Sequence, residues 1–172
     1  MLDLSFKLLI SLLFITLITS CNKPEKRILV FSKTMEVRHE SIETGISAIQ
    51  KMGIENGFVV DTTEKAEYFT EDILKKYAAV VFLNTTGDVL NHEQQAFFER
   101  YIQAGGGFAG IHSATDTEYD WPWYNKLAGA YFKSHPEIQQ ATLNILDNNH
   151  PSTKILGETW KKKEEWYDFK QM

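Results

Sequence analysis

Three short runs, apolar almost throughout, constrain this chain most. They are residues 27–32 (RILVFS), 78–83 (AAVVFL) and 105–111 (GGGFAGI). A run without polar alternation is the pattern of a strand buried on both faces, which is how strands of a parallel sheet read. Between the runs the periodicity changes. Ile42, Ile46 and Ile49 fall at helical spacing over 39–52, with Gly53 as the expected stop. Residues 58–62 form a further strand, and 70–76 a short helix with Thr70 as its N-cap. Asn91 is the expected cap of a helix over 92–103 whose inner side carries Ala96, Phe97, Tyr101 and Ile102. Later come a helix over 121–127, an alternating strand over 140–146 and a tail, 159–172, without clear periodicity.

Strand alternating with helix predicts an α/β fold: a doubly wound, mainly parallel sheet with helices on both faces. Ligands of such sheets sit at the carboxyl ends of the strands. That rule selects the loops 33–40, 84–90 and 112–120.

The start of the chain reads as an export segment. Residues 8–18 are apolar except for Ser11 and Thr16, too short to span a bilayer but suited to a signal-peptide core. Ile18-Thr19-Ser20-Cys21 then resembles the bacterial lipobox. The expectation is removal of residues 1–20, lipidation of Cys21, a tether over 21–26 and one α/β domain over 27–172. The protein would then be a membrane-anchored lipoprotein of a bacterial envelope, facing the periplasm or the exterior. Cys21 is the chain's single cysteine, so no intramolecular disulfide can form. The net charge of −5 argues against a nucleic-acid partner. Residues 105–110 lack the spacing of a dinucleotide fingerprint and precede a strand, so no nucleotide cofactor is expected.

Chemistry concentrates after the fourth strand. Gly110, Ser113 and Ala114 flank His112, and small residues in that pattern permit a strained turn that lifts one side chain out of the sheet. His112 would act there as a general acid or base. Asp116 and Glu118 are both in range to orient it, and the sequence does not choose between them.

Several segments together resemble the ThuA-like (trehalose-utilisation) family of the class I glutamine amidotransferase-like superfamily. They are RHESI (38–42), GGGFAGIHSATD (105–116), WPWYNKLAGAYF (121–132), His135-Pro136, His150-Pro151 and Glu165-Trp166-Tyr167. The resemblance implies a flavodoxin-like sheet and a role in carbohydrate metabolism. It puts His112 where amidotransferases carry cysteine. Family members continue with further strands past the point where this chain stops, which implies a C-terminally truncated member.

His39, His112 and His135 all fall near the carboxyl end of the expected sheet, and Glu165 is a candidate to join them. Three imidazoles and a carboxylate suit a divalent transition metal with an open position. None of the four is paired at a tight ligand spacing, and a lone histidine is as readily a cap or a satisfied core residue. Trp121, Trp123, Trp166 and Tyr167, with Asp116, are the expected sugar contacts. Aromatic faces stack on the apolar faces of sugar rings, and carboxylates accept hydroxyl hydrogen bonds. Two functions follow from these residues. One is a carbohydrate-active hydrolase or lyase working on a sugar or modified glycoside through His112, with or without a metal. The other is a carbohydrate-binding lipoprotein that performs no chemistry.

Overall fold

The computed structural model describes residues 25–170 of the 172-residue chain. The export segment, Cys21 and most of the tether lie outside the described residues.

The apolar runs become strands as their patterning requires. β1 (Arg27–Phe31), β2 (Val59–Thr63), β3 (Ala79–Leu83) and β4 (Gly107–Ile111) form one parallel sheet in the order β2-β1-β3-β4. Their side chains alternate between two cores. Leu29, Phe31, Val80 and Phe82 face one side, with Phe69, Phe98 and Tyr124. Val30, Val81 and Leu83 face the other, with Ile49. Helices cover both faces. α1 (Ile42–Asn56) lies on the second core. α2 (Glu71–Leu74), α3 (His92–Gln103) and α4 (Pro122–Ala128) pack on the first.

Many of the chain's aromatics are consumed in that first core. Phe82 stands 5.5 Å from Phe98 and 5.6 Å from Tyr124, ring centroid to centroid, and Phe31 stands 4.7 Å from Phe69. Such pairs add about 0.5–1.5 kcal/mol each beyond the area they bury. Phe98 is fully buried and centres the inner face of α3, whereas Ala96, Phe97, Tyr101 and Ile102 flank it at partial exposure. Asn91 caps α3 as expected, in a full capping box with Gln94. Thr70 precedes α2, but its side chain makes no capping bond.

Two expectations are corrected. Gly53 does not stop α1; the helix runs to Asn56 and ends on Gly57 at φ 70°. Gly53 is small for packing: an added Cβ would lie 2.7 Å from the Phe58 carbonyl oxygen and 2.8 Å from Val60. The unpatterned tail also forms strands. β6 (Gln139–Asn144) pairs antiparallel with β7 (Thr159–Glu164), and β5 (Tyr131–Ser134) pairs antiparallel with β8 (Asp168–Lys170). These two-stranded ribbons lie outside the main sheet, so the strand read over 140–146 does not extend it.

Candidate functional site

The three loops selected by the sheet rule are knitted to one another. Thr34 bridges Thr86, and Gly87 bridges Thr117. The Thr86 hydroxyl donates to the Val37 carbonyl at 2.9 Å, and the Thr85 and Thr117 hydroxyls meet at 2.9 Å. Glu118, only 1% exposed, accepts from the Val89 and Leu90 amides at 2.9 and 2.7 Å and from the Gln95 amide at 2.6 Å. Burial pushes its carboxyl upward against the pull of those donors. Glu118 therefore anchors the β3–α3 loop and does not touch His112.

β4 delivers His112 onto a turn at φ 53°, a left-handed conformation that a residue with a Cβ rarely adopts. Ser113 and Ala114 behind it are buried, and a Cβ on Gly110 would lie 3.0 Å from that of Ala114. The small neighbours thus serve the close approach that the sequence predicts, and the imidazole stands three-quarters covered but open to solvent.

Around it gather residues from widely separated parts of the chain. The Tyr167 hydroxyl lies 3.1 Å from His112 Nε2, and Glu165 Oε2 lies 3.3 Å from the same nitrogen. His135 Nε2 is 4.0 Å from Glu165 Oε2, and the His39 ring packs edge-on at 4.6 Å from that of His112. Phe132 walls the group, 4.3 Å from Tyr167. Glu165 and Tyr167 reach His112 while Trp166 between them does not: its Nε1 donates instead to the Gln139 carbonyl at 2.8 Å. That division is the period-two alternation of an extended segment.

Burial lowers the His112 pKa first, the neighbouring His39 lowers it further, and Glu165 opposes both. Its neutral form therefore dominates at neutral pH. Burial raises the Tyr167 phenol, with Glu165 and Asp116 adding to the effect, so it keeps its proton and pairs with His112 Nε2 as donor or acceptor according to the imidazole tautomer. Once that nitrogen is protonated, Glu165 is the carboxylate within reach. Glu165, not Asp116 or Glu118, is the carboxylate at His112. Asp116 instead shares the Tyr119 hydroxyl with the Phe132 carbonyl.

All four candidate metal ligands thus lie in one cluster. His135 Nδ1 donates to the Pro136 carbonyl at 2.9 Å, which orients the ring with Nε2 toward Glu165. The donor types suit a divalent metal. As the side chains stand, no three described His, Cys, Asp or Glu residues are arranged to hold one. Trp121 and Trp123 are placed elsewhere. Trp121 is 7% exposed, stacks on Trp123 and Tyr124 and donates to Glu99. Both tryptophans belong to the core beneath α3 and α4.

Sequence reasoning missed a groove on the α1 side of His112. It has a volume of about 580 Å³ and is lined in part by Ser41, Asn84, Lys162 and Glu164. Asn84 turns at φ 51°, a left-handed conformation that asparagine adopts more readily than most residues with a Cβ.

A four-stranded parallel sheet, helices on both faces and a lifted side chain at a strand's carboxyl end define a flavodoxin-like α/β protein. The chain belongs to the ThuA family, described as trehalose utilisation, whose model matches residues 27–172. A ThuA-like protein from Bacteroides uniformis is similar in structure, with a TM-score of 0.71 and 26% identity. The similarity covers 86% of this chain and 62% of that one. A ThuA-like protein from Parabacteroides merdae shares the fold at a TM-score of 0.67 and 23% identity, over 85% of this chain and 63% of that one. The chain thus spans less than two thirds of the length of either. Curated proteins provide no match.

Proposed function

We propose that the His112 cluster is an acid–base site for turnover of a sugar or modified glycoside. The observation that carries this reading is the convergence of His39, His112, His135, Glu165 and Tyr167 at the carboxyl end of the sheet. Neutral His112 accepts a proton from a sugar hydroxyl, or from a carbon beside a sugar carbonyl. Glu165 then stabilises the imidazolium, whose Nε2–H also faces the Tyr167 hydroxyl oxygen as an acceptor. A metal held by His39, His112, His135 and Glu165 would supply Lewis acidity instead, with His112 a ligand and not the base. Lipidation at Cys21 would place the site in the cell envelope, where scavenged sugars arrive. The trehalose-utilisation family and the ThuA-like neighbours support the carbohydrate assignment.

Turnover of a panel of glycosides and 3-keto-glycosides by the full chain tests the reading. His112→Ala should lower kcat by at least about a hundredfold, the usual scale of general acid–base catalysis. Retained kcat would overturn the role of His112. No turnover of the panel, with sugar binding still dependent on His112, would favour the carbohydrate-binding reading. Elemental analysis after gentle purification tests the metal: Zn, Mn, Fe or Ni at near one equivalent would support it, and none detected would remove it from the account. Palmitate labelling that is lost in Cys21→Ala tests the anchor, and unlabelled wild-type chain would contradict it.

A further inference from the structure

We infer that the groove on the α1 side of His112 is a second sugar subsite, which binds the non-reacting ring of a neutral glycoside. This inference rests on the reading of the His112 cluster as a carbohydrate site. His112 is shared by the two: one side of the imidazole meets Tyr167 and Glu165, and the residue also lines the groove. A glycoside with its reacting ring against the cluster would therefore lay its other ring along α1.

The groove's chemistry fits a polyol. Its volume of about 580 Å³ falls within the roughly 300–1,000 Å³ of small-molecule sites. Leu83, Ile111, Gly45 and Ala48 give it apolar wall for the C–H face of a ring. Polar groups stand beside that wall. Asn84 is 3% exposed and donates from Nδ2 to Ser41 Oγ at 2.8 Å. Its Oδ1 takes no hydrogen bond from any described residue, and the Ser41 hydroxyl keeps its own proton to donate. Acceptor beside donor is what a sugar hydroxyl, itself both, requires. Lys162 and Glu164 pair with each other across the wall, so they offer a donor and an acceptor without net charge. That balance favours a neutral ring over a uronate or a sugar phosphate.

Binding of glucose, methyl α-glucoside, maltose and trehalose to the full chain tests the subsite, followed by saturation-transfer NMR and calorimetry. The best disaccharide should bind at least tenfold tighter than glucose. Ala48→Trp, which fills the groove from an exposed helix position, and Asn84→Ala should each bring that ratio toward one. Thermal melts alongside show whether each variant is folded. His112→Ala should weaken monosaccharide and disaccharide alike. Equal binding of glucose and the disaccharides to wild type would overturn the subsite, as would a tenfold ratio that survives in both groove variants. A ratio lost in the groove variants with no effect of His112→Ala would contradict the cluster reading and leave the groove standing. Failure of every sugar to bind would overturn both.

Discussion

His112 pays for its position with backbone strain. A residue with a Cβ in the left-handed region costs about 1–2 kcal/mol, and glycine does not incur it. His112→Gly should therefore be more stable than His112→Ala by about 1 kcal/mol in denaturant unfolding, although both lack the imidazole. An alanine variant as stable as the glycine one would show that the turn carries no strain. The lowered His112 pKa fixes a pH dependence. Its neutral form is present above that pKa, so the acid limb of kcat/KM should sit below the ordinary histidine value of 6.5. Glu165 pulls that pKa upward, so Glu165→Gln should move the limb further down; an upward move would put Glu165 elsewhere. Glu118 shows the opposite kind of residue, buried and structural. Glu118→Ala leaves two loop amides and the Gln95 side chain without their acceptor, and should cost at least about 2 kcal/mol in chemical denaturation. A loss under about 0.5 kcal/mol would mean that water replaces the carboxylate.

At the scale of elements, what could be read from the sequence follows what each element buries. β1 and β3 are covered on both faces, so their apolar runs are unambiguous. Asn91 and Gln94 announce the start of α3 because a cap is a local interaction. Gly53 misleads because a glycine that makes room and a glycine that ends a helix look alike until the neighbouring strand is in place. β7 and β8 carry lysines, acids and aromatics on exposed two-stranded ribbons, where no apolar alternation is needed. Gly106 belongs to the packing kind as well. A Cβ there would lie 2.3 Å from the Tyr101 ring, whose hydroxyl bonds the Tyr77 carbonyl at 3.2 Å. Gly106→Ala should destabilise by about 1–3 kcal/mol, as overpacked sites do, and should lower the melting temperature. An unchanged melt would mean that Tyr101 moves aside freely.

At the scale of the whole molecule, the sheet does for the site what no segment does alone. His39 follows β1, His112 ends β4, His135 follows β5, and Glu165 and Tyr167 lie between β7 and β8. The turn at His112 was legible from its small neighbours, and the histidines were legible as a candidate set. Their meeting was not, because none is paired at a local ligand spacing. The tryptophans illustrate the converse. Trp121 and Trp123 look like sugar platforms in sequence, yet the first core takes them, whereas Tyr167, in an unpatterned tail, reaches the imidazole. The most direct test of the account is the titration of the His112 imidazole by long-range 1H–15N NMR, with and without saturating amounts of whichever sugar binds best. A midpoint below 6.5 that moves, together with its ring shifts, when the sugar is added is the predicted result. A midpoint at or above 6.5, indifferent to sugar, would contradict it.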